Sequence, residues 1–178
     1  ERKRADEALR ESERRFADII QFLPDATLAI DLDKRIIIWN KAIEEMTGIP
    51  AAEMISQGDY AYTVPFYGER RPQLMDLVFE DSEETAARYL AITRQGDTLT
   101  TEVFCNALHS GKGAWVMAKA APLYDASGRI IGAIEIIRDI TSIKRTEDDL
   151  RQERQRLEGI LRGTNAGTWE WNVQTGET

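Results

Sequence analysis

Ala114-Trp115-Val116-Met117-Ala118-Lys119-Ala120-Ala121-Pro122-Leu123-Tyr124-Asp125-Ala126-Ser127-Gly128-Arg129-Ile130-Ile131-Gly132-Ala133-Ile134-Glu135-Ile136-Ile137-Arg138-Asp139 decides the fold of this chain. Two runs rich in apolar and β-branched residues flank Asp125-Ala126-Ser127-Gly128, a cluster of turn formers. Residues 114–123 and 129–139 therefore read as antiparallel strands. Upstream, Ser110-Gly111-Lys112-Gly113 is a second turn, and Thr98 to Leu108 a third strand opened by Gly96-Asp97.

Further upstream the pattern is mixed. Gln73 to Phe79 and Glu83 to Ala91 read as helical, and Ser56 to Pro72 is irregular and rich in aromatics. Ala51 to Ile55 is a brief helix. Asn40 is the N-cap of a short helix from Lys41 to Thr47, closed by Gly48. Ala26 to Asp31 and Arg35 to Trp39 are strands joined by an Asp33-Lys34 turn, and Pro24-Asp25 breaks the helix before them. Two strands, several short helices and three longer strands make an α+β plan, with an antiparallel sheet carrying helices on one face.

Both ends read as charged helices. Ala5, Leu9, Ser12, Phe16, Ile19 and Leu23 are spaced 4-3-4-3-4, the seam of a coiled coil. Ile143, Leu150, Leu157 and Leu161 repeat the stripe more weakly, interrupted by Glu147 and Arg154. Stripes this narrow need a partner helix, so a homodimer through the flanking helices is expected.

Composition sets the exclusions. With 23 basic and 31 acidic side chains the net charge is −8, which speaks against a dedicated nucleic-acid binder. The most strongly apolar run, Ile36-Ile37-Ile38-Trp39, is strand-sized, so no membrane contact is expected within this segment. The mixed-charge start Glu1-Arg2-Lys3-Arg4 does not read as a signal peptide, and a cytoplasmic setting is expected. Cys105 is the only cysteine and His109 the only histidine, which excludes a disulfide scaffold and a conventional His/Cys metal centre. The same two counts leave no convincing Ser-His-Asp or Cys-His constellation. Gly111-Lys112-Gly113 is too short for a phosphate loop. No catalysis is expected of this segment.

Self-comparison adds organisation. Displacing the chain by 141 residues aligns Lys3-Arg4 with Lys144-Arg145, Leu9-Arg10 with Leu150-Arg151, Ile19 with Ile160 and Thr27 with Thr168. A charged helix leading to a small-residue turn and a strand start thus occurs twice. The expected division is a linker helix over residues 1–15, a domain over 16–141, an output helix over 142–162, and the start of a following domain over 163–178.

These pieces carry a family resemblance. Leu23-Pro24-Asp25-Ala26 precedes a strand, and Ile38-Trp39-Asn40-Lys41-Ala42 passes into Met46-Thr47-Gly48. Pro122-Leu123-Tyr124-Asp125-Ala126-Ser127-Gly128 marks the hairpin, and Gly132-Ala133-Ile134 and Asp139-Ile140-Thr141 the last strand and its end. Over residues 13–145 the chain resembles the PAS sensory domains of bacterial and archaeal signalling proteins, particularly tandem units in sensor histidine kinases. The resemblance implies a five-stranded antiparallel sheet of order 2-1-5-4-3, a two-component phosphorelay as the setting, and a kinase elsewhere in the parent protein. A diguanylate cyclase output, or a ligand-free dimerisation spacer, are the alternatives. It also implies that Asp139 and Thr141 relay a signal into the following helix. Thr141 or Ser142 is suited to cap that helix, and Asp139 to hold a donor or cation at the strand end.

Family members enclose ligands between sheet and helices. The cysteine motif of light-sensing flavin relatives is absent, and His109 beside a turn is a poor haem ligand, so neither flavin nor haem is supported. Cys105 reads as a buried, inert thiol. Asp59 to Pro72 sets Tyr67 and other rings beside Arg70 and Arg71, a combination suited to an anionic or aromatic small molecule; the competing reading is a packed lid whose arginines pair with Glu69, Asp76 or neighbouring acids. Phe104, Trp115 and Met117 are candidates for the pocket wall; alternation alone does not settle their face, and core packing also accounts for them.

Overall fold

The strands form where the hydrophobic pattern has period two. The computed structural model describes residues 2–163; the start of a following domain expected beyond Gly163 lies outside the described residues. β1 (Ala26–Asp31), β2 (Ile36–Trp39), β3 (Ile92–Gln95), β4 (Thr98–Cys105), β5 (Ala114–Tyr124) and β6 (Ile130–Asp139) make one sheet of order β2-β1-β6-β5-β4-β3, antiparallel throughout. The five expected strands keep the order 2-1-5-4-3, and the short β3 is added at the edge.

That extra strand corrects the helix expected over Glu83 to Ala91. Only α5 (Glu83–Ala86) is helical, capped by the Ser82 hydroxyl, and Ile92 onward turns back against β4. The reason is the two-residue loop Gly96-Asp97 between paired Gln95 and Thr98. Gly96 holds φ 58, the left-handed first position that a tight hairpin turn demands. Similarly, β4 ends at Cys105, and Leu108 belongs to the single turn α6 (Leu108–Gly111). Gln73 to Phe79 is realised as a 3₁₀ turn over Leu74–Val78.

Burial alternates strictly along the first part of β5. Ala114, Val116, Ala118 and Ala120 face inward, and Trp115, Met117 and Lys119 face the other way. Small inward residues leave room for the 3₁₀ turn Leu74–Val78 to lie across the middle of the sheet. Its Leu74 and Met75 are fully buried with Leu28, Ile30, Ile36, Tyr62 and Phe66. That apolar layer, at roughly 25 cal/mol per Å² removed from water, is the main stabilising contribution.

α2 (Lys41–Thr47) begins as expected. Asn40 is fully buried, and its Oδ1 accepts from Ile43 N at 3.1 Å and Thr27 N at 2.9 Å. Its Nδ2 donates to the carbonyls of Ile20, Leu23 and Asp25. One side chain thereby ties the end of α1 (Arg2–Gln21), the start of β1 and the start of α2. Gly48 closes α2 at φ 75. α3 (Ala51–Met54) and α4 (Val64–Tyr67) complete the helical layer.

Both sheet edges are finished. The outer side of β2 is partly paired, with Ile36 N donating to Gln57 O at 2.9 Å and Ser56 N to Ile36 O at 2.8 Å. β3 at the other edge has only four residues, of which Arg94 and Gln95 are exposed.

Gly132 sits where β6 crosses β1, and a Cβ there would lie 2.4 Å from the Ile30 carbonyl oxygen. Backbone cannot yield as a flexible side chain can, so Gly132→Ala is expected to cost about 2 kcal/mol in urea unfolding. A loss below a few tenths would show that the strands part without penalty.

The chain divides into two units, one ending at Ile140 and the other beginning at Thr141 with α7 (Thr141–Gly163). On α1, Leu9, Phe16 and Ile19 are exposed, and on α7 so are Ile143, Leu150, Leu157 and Leu161. Among the described residues no helix is long and apolar enough to cross a membrane.

Candidate functional site

The aromatic segment folds into two short turns over the sheet. Asp59 and Tyr60 both take left-handed backbone (φ 50 and 55), which redirects the chain into the 3₁₀ turn Ala61–Thr63 and then α4. Pro65 sits in the first turn of α4, where its missing N–H costs nothing, and Gly68 at φ 76 ends it. Tyr62, Thr63 and Phe66 are buried by this arrangement.

Arg71 and Arg70 part company. The Arg71 side chain is only 13% exposed, and its guanidinium lies 3.7 Å from the centroid of the Tyr67 ring. Its Nε has no hydrogen-bond partner, and Glu69 Oε1 stands 3.7 Å away. Arg70 remains at the surface and donates to the Asp59 carbonyl at 2.8 Å, fastening the preceding turn. Tyr67 neighbours the Cys105 thiol and Tyr89. Burial raises both tyrosines above their usual range and pushes the Cys105 thiol up to about 12. The thiol is buried and protonated, as the sequence suggested.

Two carboxylates sit deeper. Asp76 Oδ1 accepts from the Tyr62 hydroxyl at 2.8 Å and pairs with Lys34 Nζ at 3.2 Å. Its Oδ2 accepts from Gln73 N at 2.8 Å, half of a capping box on the 3₁₀ turn. Lys34 takes left-handed backbone in the β1–β2 turn, and its ammonium also donates to the Tyr60 hydroxyl at 2.9 Å. A recess of about 100 Å³ opens beside this pair, lined by Tyr60, Pro72, Leu77, Ser82 and Thr85 among others.

Glu135 stands at the centre of the sheet, 3% exposed. Its Oε2 accepts from Gln73 Nε2 and Met75 N, each at 3.1 Å. Burial, reinforced by the Asp76 charge, pushes its carboxyl up to about 8, so it is protonated at neutral pH. The 3₁₀ turn therefore rests on the sheet through the Glu135 carboxyl, which meets Gln73 Nε2 and Met75 N.

Strand parity decides the wall candidates. Trp115 and Met117 alternate with the inward alanines of β5 and so project from the opposite face. Phe104 pairs with Trp115 in register, 46% exposed, with the rings edge to face at 5.7 Å. The wall position expected for Phe104, Trp115 and Met117 is corrected: they line the sheet face turned away from the helices. Asp139 ends β6, where its carboxylate faces His109, and Thr141 is the first residue of α7.

Sequence reading missed Glu135, Lys34 and Tyr89, and offered Asp76 only as a partner for Arg70 or Arg71, whereas it pairs with Lys34. Glu135 carried a visible signal, a lone acid inside the apolar run Gly132 to Ile137. Lys34 and Tyr89 gave none, because their partners come from distant segments. Among the described residues no group of His, Cys, Asp and Glu side chains is placed to hold a metal ion.

A family model described as the PAS fold matches residues 22–145. The chain belongs to the PAS fold family. Its PAS domain is 32% identical over 136 residues to the methanogenesis regulatory histidine kinase FilI of Methanothrix harundinacea, covering 75% of this chain and 13% of the kinase. It is 26% identical over 134 residues to phytochrome B-2 of Glycine max, covering 71% of this chain and 10% of that protein. The chain thus spans about a tenth of the length of these relatives. The crystal structure of a PAS domain from Colwellia psychrerythraea superposes with a TM-score of 0.50 at 23% identity, over 72% of this chain and 97% of that one. The six-stranded sheet here is the PAS sheet with its added edge strand.

Proposed function

We propose that this chain is a sensory PAS module that takes a small molecule with a carboxylate or comparable anionic group at Arg71 and Tyr67. The change passes through Asp139 and Thr141 into α7, toward a histidine kinase output in a longer cytoplasmic protein. Residues 1–15 and 142–162 serve as linking helices, 16–141 as the sensor, and 163–178 as the start of another domain. The observation that carries the reading is Arg71, a guanidinium buried against an aromatic ring with an unbonded Nε. The Arg71 Nε–H has no hydrogen-bond acceptor, its nearest carboxylate being Glu69 at 3.7 Å, and an anion arriving there supplies the missing bond. The kinase relative supports the choice of output.

Benzoate, as a small aromatic carboxylate, is the probe. Titration followed by NMR is expected to shift the Arg71 Nε–H and Tyr67 ring signals, and Arg71→Met to weaken binding at least about tenfold. Shifts confined to surface arginines such as Arg70 would sink the reading.

A second reading, a ligand-free dimerisation spacer, is favoured by the exposed seam of α1 and by the tightly filled layer of Tyr62, Phe66, Leu74 and Met75. Light scattering separates the two in combination with the titration. A dimer that ignores benzoate is a spacer.

A further inference from the structure

The chain's one histidine lies against the residue at which the sheet hands over to the output helix. His109 Nε2 stands 3.1 Å from Asp139 Oδ2, a pair formed across 30 residues of sequence. The backbone pays for this placement: His109 and Ser110 both hold left-handed conformations (φ 53 and 59), followed by Gly111 at φ 85. Left-handed backbone is unfavourable for side chains with a Cβ and persists only where the surroundings impose it. The surroundings here are identifiable. Leu108 is buried in the core, and Gly113 N donates to the Leu108 carbonyl at 3.0 Å. On the other side, Ala107 N donates to the Phe66 carbonyl at 3.0 Å, joining α6 to the buried turn α4 that carries Tyr67. Ile140 N in turn donates to the Trp115 carbonyl at 2.8 Å, the last bond of the sheet before α7.

We infer that His109 is a positioning residue for the relay: through α6 it connects the backbone of α4, at the candidate ligand site, to Asp139 at the exit of β6. This rests on the proposed relay role of Asp139 and adds to it a route that runs outside the sheet ladder. Displacement of Phe66 and Tyr67 pulls on Ala107, and the rigid left-handed turn transmits the pull to the carboxylate at the strand end.

Amide hydrogen exchange on the whole chain tests it, read at Ile140 and the first turn of α7. His109→Ala is expected to raise exchange there about fivefold, the upper end of what an exposed pair commands. His109→Gln, whose amide nitrogen reaches about as far as the imidazole Nε2 and still offers a donor, is expected to stay within about twofold of the parent. His109→Gly relieves the backbone but removes the donor, so it should behave as the alanine variant does. Asp139→Ala should raise exchange at least as much as His109→Ala, and adding the His109 substitution to it should add nothing further. Thermal midpoints serve as the control, since an exposed pair changes them little. Increased exchange confined to residues around α6, or equal effects of Gln and Ala, would overturn the inference. If Asp139→Ala itself leaves Ile140 and α7 unchanged, the relay reading fails first; if only the His109 variants are silent, the relay stands without this route.

Discussion

Asp76→Ala is expected to destabilise the chain by about 4 kcal/mol, as breaking a buried ion pair from one side does. The Asp76 side chain is 4% exposed and accepts from three donors on three separate segments: the Tyr62 hydroxyl, the Gln73 amide and the Lys34 ammonium. Alanine leaves two of these buried without an acceptor, and each orphan costs on the order of 1–3 kcal/mol. Lys34 is less affected, because at 31% exposure it reaches water. Tyr62→Phe removes a single bond from the same carboxylate and should cost only about 1 kcal/mol. Urea unfolding of the two variants beside the parent measures both. An Asp76→Ala loss no larger than that of Tyr62→Phe would mean that Lys34 and Gln73 find other partners.

Glu135→Gln carries the second large effect, visible only as a function of pH. The folded chain keeps the Glu135 proton until about pH 8, and the unfolded chain releases it near the ordinary 4.5. Between those values the unfolded state has already lost a proton that the native state still binds, so stability falls as the pH rises. The loss is complete above the folded value and absent below the unfolded one. It amounts to something on the order of 4 kcal/mol. Glutamine keeps an oxygen for Gln73 Nε2 and Met75 N and has no proton to lose. The variant should match the parent near pH 4.5 and exceed it by several kcal/mol at pH 8. Subtracting the two pH–stability curves isolates the residue from the other carboxylates. A flat difference would show that Glu135 ionises in the folded chain as freely as in water.

The fold was legible because its decisive elements are local. Strand alternation, the Asp125 to Gly128 turn, and the Asn40 cap with Gly48 at the other end of α2 are each readable within a dozen residues. β3 escaped because Glu83 to Ala91 has helical composition and only the short Gly96-Asp97 turn betrays the return strand. The candidate site was half legible. Arg71 and Tyr67 stood out as residue types in one segment, and burial did bring them together. Arg70, adjacent in sequence and chemically identical, stays at the surface, where it is held by the Asp59 carbonyl. Parity also carried Phe104, Trp115 and Met117 to the far face, and alternation without a known inward residue offers no means of choosing. Glu135 shows in the sequence as a lone acid in an apolar run. Its partners Gln73 and Met75 are more than fifty residues away, as Lys34 is distant from Asp76, and no local pattern announces those pairings.

The way the sheet is finished bears on how such modules live side by side. In a string of like domains every open strand border is a template on which a neighbour's border can zip up, and tethering raises the local concentration. Here one border is already bonded by the Ser56-Gln57 backbone, and the other is a stub guarded by Arg94. Mispairing through the sheet borders of neighbours in tandem is thereby discouraged.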